Sequence, residues 1–158
     1  MISLIIPCFN EEESLPLFYP EATSVLQKMN CDYELIFVND GSRDRTLEIL
    51  KELSEKDPHV IYLSFSRNFG KEAAIFAGLA QACGDVVAVM DCDLQHPPEK
   101  VVEMYHLWQQ GYEVVEGVKE DRGRESAAHR FAAKSFYKLI SDAAGMDMSH
   151  SSDFKLLD

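Results

Sequence analysis

The chain has 158 residues, 46% of them hydrophobic and 27% charged, which is one domain's worth of globular protein with room for a substantial core. Its formal net charge of -12 argues against a nucleic-acid binder, which needs clustered Lys and Arg, but not against a small phosphate-bearing substrate held through a metal ion. No apolar run approaches the roughly 20 residues that span a bilayer, the N-terminus lacks a basic leader, and Cys8, Cys31, Cys83 and Cys92 show no C-x-x-C spacing, so reduced thiols in a cytosolic setting are expected.

Ile2-Ser3-Leu4-Ile5-Ile6 reads as a buried strand ended by Pro7, which has no N–H to continue a ladder. The acidic stretch Phe9-Asn10-Glu11-Glu12-Glu13-Ser14 leads into a helix predicted over 15–29, where first-turn carboxylates suit the helix dipole. A second strand over 33–38 stops at Asn39-Asp40-Gly41-Ser42-Arg43-Asp44, with Asp-Gly as a turn signal and Asp44 as N-cap of a helix over 45–56. A third strand over 60–64 precedes Arg67-Asn68-Phe69-Gly70-Lys71 and a helix over 72–82, whose Ala73, Ala74, Ala77, Gly78 and Ala80 permit close packing on a sheet. The valine-rich run Val86-Val87-Ala88-Val89-Met90 reads as a strand buried on both faces. A helix over 98–110, with Val101, Val102, Tyr105 and Trp108 on one side, and a strand over 113–118 complete the alternation. Strand–helix repeats of these lengths predict an α/β layer structure with a mostly parallel central sheet flanked by helices.

The fourth strand stops abruptly at Asp91-Cys92-Asp93, followed by Leu94-Gln95-His96-Pro97-Pro98. In an extended conformation the two carboxylates point the same way. Like charges that close favour a cation between them, and hard oxygens suit Mg2+ or Mn2+ that keeps waters and substrate phosphates as its other ligands. The plainer alternative is a pair of turn aspartates ahead of the prolines. In parallel sheets, however, ligands sit beyond the carboxyl ends of strands, and Glu11 and Asp40 follow two other strand ends. That convergence makes capping alone a poorer account.

The segment 119–138 differs in composition, with six basic residues against three acidic ones. Arg130, Lys134 and Lys138 recur every fourth residue and would form one stripe on a helix, next to Phe131, Phe136 and Tyr137. Either this is a solvated basic face, or it is a surface for an anionic, lipid-linked acceptor at a membrane boundary.

With these residues in place, the chain resembles the inverting family 2 glycosyltransferases of the GT-A fold, and within them the dolichyl- or polyprenyl-phosphate sugar transferases. The resemblance is carried in order by Ile5-Ile6-Pro7-Cys8-Phe9-Asn10-Glu11, Val38-Asn39-Asp40-Gly41-Ser42-Arg43-Asp44, Ser66-Arg67-Asn68-Phe69-Gly70-Lys71, Met90-Asp91-Cys92-Asp93-Leu94-Gln95-His96-Pro97-Pro98 and Ser152-Asp153-Phe154-Lys155-Leu156-Leu157. It implies a UDP- or GDP-sugar donor with base and ribose near Pro7, Phe9, Glu11, Val38, Asp40, Asp91 and Cys92, the Asp40 carboxylate accepting hydrogen bonds from the base. It further implies Asp91, Asp93 and Gln95 as ligands of Mg2+ or Mn2+, with Asp93 and Asp153 as catalytic groups. Lys119, Arg130 and Lys134 would hold the phosphate of a polyprenyl-phosphate acceptor. Phe9 stands where many members have Tyr, and Ser151-Ser152 replaces a usual Ala-Gly before Asp153. Members of this branch continue past such a segment into membrane helices. The resemblance therefore implies that residues 1–158 are the catalytic core of a longer protein at the cytoplasmic face of a membrane. A saccharide hydroxyl as acceptor, or a nucleotide-binding fragment without turnover, stay open as alternatives.

Overall fold

The computed structural model of the chain describes residues 1–117 and 154–158. Its first strand, β1 (Ile2–Cys8), is the apolar N-terminal run, and every residue in it except Pro7 is buried. Parallel strands flank it: β2 (Tyr33–Asn39) on one side and β4 (Val86–Val89) on the other, while β3 (Val60–Ser64) extends the sheet beyond β2. Two short antiparallel strands complete it, β5 (Val114–Glu116) at the edge and β6 (Lys155–Leu157) inserted between β4 and β5. The order is β3-β2-β1-β4-β6-β5.

Helices cover both faces because each strand alternates its side chains. On one face, Ile2, Leu4 and Ile6 join Leu35, Phe37 and Ala88 beneath α1 (Leu15–Leu26), α2 (Thr46–Lys56) and α4 (Glu99–Gln109), with Phe18 edge-on to Phe37 at 6.3 Å. On the other, Ile5, Ile36, Val38 and Val89 pack under α3 (Lys71–Gln81). The small residues of α3 serve the close approach expected of them, since a Cβ on Gly78 would lie 2.5 Å from Ile5 Cγ2. Among the described residues, no helix is long and apolar enough to cross a membrane.

Several predicted boundaries move. Helix α1 ends at Leu26 rather than at residue 29, and a 3-10 turn, Gln27–Met29, closes on Asn30 in the left-handed region at φ 54°. Asn tolerates that conformation and ends helices for that reason. Helix α2 begins at Thr46, one residue later than expected, and Asp44 Oδ1 accepts hydrogen bonds from both Thr46 N (3.0 Å) and Thr46 Oγ1 (2.6 Å). Helix α3 begins a residue earlier, at Lys71. The strand expected over 113–118 shortens to Val114–Glu116, and β6 was not anticipated at all.

At the amino edge of the sheet a buried polar knot ties β1, β2 and the α3–β4 turn. Ser3 Oγ donates to Glu34 Oε1 (2.5 Å), which also accepts from Cys83 N (2.7 Å), while Gly84 N donates to Ser3 Oγ (2.8 Å). The N-terminal amine pairs with Asp85 on the surface beside it.

Candidate active site

Strand order reverses between β1 and β4, so the crevice beyond their carboxyl ends is the topological switch point where open α/β sheets hold ligands. Register fixes which side chains reach it. Pro7 pairs with Val38, and Ile5 with both Ile36 and Val89, so one row of these strands faces α3 and ends at Pro7, Val38 and, beyond β4, Asp91.

Two loops form one wall of the crevice by clasping each other. Asn10, at φ 57°, donates its N–H to Ser42 Oγ (2.9 Å) and accepts from Arg43 N through Oδ1 (2.8 Å). Glu11 N donates to Thr46 Oγ1 (2.8 Å), Glu12 N to Asp44 Oδ2 (3.1 Å), and Arg45 N to Glu12 Oε2 (3.0 Å). Burial acts to raise the Asp44 carboxyl, but the hydrogen bonds from Thr46 and Glu12 outweigh it and hold the group below its ordinary value. Glu12 and Asp44 are thus fastenings of the loops, and Phe9, 44% exposed, stands out from them.

A third loop closes against this pair. Gly41, at φ 66°, lies so near the Arg67–Asn68 backbone that a Cβ would come within 2.2 Å of Arg67 C. Asp40, almost fully buried, accepts from Phe69 N (2.7 Å) through Oδ1 and from Gly70 N (2.9 Å) through Oδ2. Its carboxylate, expected from the resemblance to meet a base, is seen here holding the entry to α3. Arg67 lies over the Phe69 ring at 4.7 Å, with Phe69 itself half exposed.

Lys71, the first residue of α3, reaches Asp91, with Nζ 2.7 Å from Oδ1 and 2.8 Å from Oδ2. Sequence reasoning missed it. The signal was a cation in the first turn of a helix, where the dipole disfavours positive charge unless an anion answers it.

The acidic pair itself differs from the expected extended arrangement. Strand β4 ends at Val89, and Asp93 lies in a turn in which its Oδ1 accepts from Gln95 N (2.9 Å) while Leu94 takes φ 58°. Turn geometry, rather than strand alternation, presents Asp93. Asp93 and Gln95 are exposed and Asp91 is partly so. Cys92 is buried in the main core along with Cys8, so its side chain faces away from the crevice. Burial, and then a hydrogen bond with Cys92, push the Cys8 thiol well above its usual range, which makes it inert as a nucleophile. Val38 is fully buried under α3, whereas Pro7 and Glu11 keep partial exposure. Lys119, Arg130, Lys134 and Asp153 lie outside the described residues.

Asp91, Asp93 and Gln95, at the end of β4, are the residues that could hold a hard divalent cation. Among the described residues no three His, Cys, Asp or Glu side chains converge as a closed metal cage. Two carboxylates and an amide at an open edge are what Mg2+ accepts when substrate phosphates and waters supply its remaining oxygens.

Together, the parallel sheet, its antiparallel insertion and the acidic carboxyl edge define a GT-A fold. Its likeness to solved structures includes glucosyl-3-phosphoglycerate synthase from Mycobacterium tuberculosis bound to UDP, at a TM-score of 0.64 and 20% identity over 100% of this chain and 56% of that one. The family model of glycosyl transferase family 2 matches residues 3–151, and the chain belongs to that family. It is 41% identical to the bactoprenol glucosyl transferase of Shigella phage SfV over 99% of its own length and 51% of the relative's. It is 39% identical to the undecaprenyl-phosphate 4-deoxy-4-formamido-L-arabinose transferase of Pectobacterium atrosepticum over 94% of its own length and 45% of the relative's. The chain therefore spans about half the length of these curated relatives.

Proposed function

We propose that the chain is the donor-binding catalytic core of an inverting transferase that moves a sugar from a UDP- or GDP-sugar to a polyprenyl phosphate. The observation that carries this reading is the pair Asp91 and Asp93 at the switch-point crevice, walled by loops fastened to one another. The names of the two relatives, each built on a polyprenyl carrier, support the acceptor class.

In this reading Phe9, Pro7 and the Glu11 loop form the floor for base and ribose, and Asp40 adds a buried carboxylate acceptor at the same edge. Asp93, Asp91 and Gln95 would hold Mg2+ or Mn2+. When bound, that ion neutralises charge developing on the departing nucleoside diphosphate as a Lewis acid. The interlocked loops keep this wall in place without reorganisation during reaction, which is where preorganised sites gain rate.

An acceptor phosphate is already ionised near neutral pH and needs positioning more than deprotonation, the task assigned to Lys119, Arg130 and Lys134. Asp153 would orient the acceptor or remove a proton if the acceptor is a hydroxyl. A polyprenyl substrate places the reaction at a membrane surface, on the cytoplasmic side where nucleotide sugars are made.

Calorimetry with UDP and GDP, with and without Mn2+, on wild type and Asp93→Ala tests the donor site. Metal-enhanced binding lost in the variant supports it; metal-independent binding that survives Asp93→Ala rejects it. Polyprenyl phosphate and simple saccharides offered in parallel test the acceptor, and transfer only to a saccharide hydroxyl rejects the lipid carrier.

A further inference from the structure

We infer that His96 is a positioning residue of the donor site: its ring lies against Phe154, fastens the far end of the turn after β4 to the β6 side of the sheet, and so fixes where Asp93 and Gln95 stand. This inference rests on the metal–diphosphate reading above and adds to it a residue that orders the ligands.

No strand runs through this turn, yet its burial alternates. From Cys92 to Pro98 each even-numbered residue is buried or half-buried and each odd-numbered one is exposed. The inward residues therefore decide how the outward ones, Asp93 and Gln95, are presented. Cys92 belongs to the main core and Leu94 packs against it. His96 is the polar member of the inward set. Its ring centroid lies 4.9 Å from that of Phe154, with the planes tilted by 32°, and both ring nitrogens are shielded from solvent. The ring is thus packed into the protein as a support and is not itself placed as a ligand.

What His96 rests on is fixed in turn. Phe154 is 3% exposed, its carbonyl accepts from Gly117 N (2.9 Å), and a Cβ on Gly117 would collide with its ring. The next residue, Lys155, pairs with Val89, where β4 ends. Two consecutive residues, 154 and 155, therefore hold the two ends of the stretch that carries Asp91, Asp93 and Gln95. His96 and Phe154 each take part in further interactions, and the ring contact acts together with them. Ligands ordered before binding lose less conformational freedom when they take up a cation and a diphosphate, and residues packed behind them supply that order.

The test compares wild type, His96→Ala, His96→Phe and Phe154→Leu at equal folded fraction, set by urea denaturation. Calorimetry measures UDP affinity with and without Mn2+. Hydrogen exchange followed by NMR measures protection of the Gln95 amide, which donates to Asp93. In His96→Ala the gain in UDP affinity from Mn2+ should fall about fivefold, the scale of one aromatic contact, while the affinity without Mn2+ stays unchanged. Exchange of the Gln95 amide should quicken alongside. Phe154→Leu, which keeps apolar volume but removes the ring, should reproduce both changes and carries the comparison if His96→Ala does not fold. His96→Phe, which keeps a ring against Phe154, should recover both. An unchanged Mn2+ gain in His96→Ala or Phe154→Leu overturns the inference and leaves the donor site intact, and so does failure of His96→Phe to recover it. If UDP binds wild type equally with and without Mn2+, the metal–diphosphate reading itself fails. Hydrogen exchange then decides the support alone, and unchanged Gln95 exchange in the variants rejects it.

Discussion

At the amino edge of the sheet, Ser3 and Glu34 close on each other and on the backbone of Cys83 and Gly84; at the carboxyl edge, Asp40 and Asp44 hold backbone as well, but Asp91 and Asp93 lie beyond them toward solvent. Both edges bury polar groups, and both obey the rule that a buried donor or acceptor finds a partner. They differ in what the last carboxylate faces. Glu34 ends in a knot made of backbone N–H groups and a serine, whereas Asp91 pairs with the ammonium of Lys71 in a partly exposed position. A buried polar cluster is therefore no mark of a site by itself. A charge that stays partly exposed at the carboxyl edge of a parallel sheet, where such folds hold ligands, is the more informative sign.

The sharpest way to break the carboxyl edge is at its tightest contact. Gly41→Val adds a branched side chain at φ 66° against the Arg67 backbone, and urea denaturation should show a loss of about 3 kcal/mol together with loss of UDP binding. The matching cut at the amino edge is Glu34→Ala, which leaves Ser3 Oγ and Cys83 N without their acceptor and should cost about 2 kcal/mol in the same assay. Its UDP affinity per folded molecule should equal that of wild type; a fall would mean that the two edges are not separable.

Asp44→Ala removes the fastening of the two loops and should cost about 1 kcal/mol at neutral pH, as lost helix caps do. The folded Asp44 carboxyl titrates below its ordinary value of 3.8, so the stability it contributes is full above that value. As pH falls through the depressed folded value, the difference between wild type and Asp44→Ala should fade. Unfolding followed by circular dichroism across acidic pH checks the sign. Asp93→Asn has the smallest expected effect on stability, within about 0.5 kcal/mol, because the side chain is exposed. Calorimetry should nevertheless find UDP affinity no longer enhanced by Mn2+, which separates a working residue from a fastening one.

Much of the scaffold could be read from the chain. Valine-rich and isoleucine-rich runs mark β1, β2 and β4, and alanines with Gly78 mark the helix that packs hardest on the sheet. The motifs around Asp40 and Asp91 pointed to the carboxyl edge of the sheet because strand ends and turn residues are local signals. What stayed hidden depends on distant partners. Three-residue β6 has no periodicity to detect, and only pairing with β4 makes it a strand. The hold of Asp40 on the entry to α3 depends on backbone groups some thirty residues away, at Phe69 and Gly70. Alternation along the sequence puts Asp93 in an extended pair, whereas β4 ends at Val89 and a turn with Leu94 at φ 58° follows.

The insertion of β6 also constrains how the chain can be made. Val87, Ala88 and Val89 of β4 pair with Leu157, Leu156 and Lys155, and β5 joins the sheet through that same strand. Among the described residues, β5 has no strand to pair with and β4 keeps one edge uncovered until residues 155–157 have been synthesised. The nascent chain thus passes through an interval in which its parallel half is assembled and its most adhesive border is uncovered, so that the speed of translation across this stretch bears directly on how much of the product escapes aggregation.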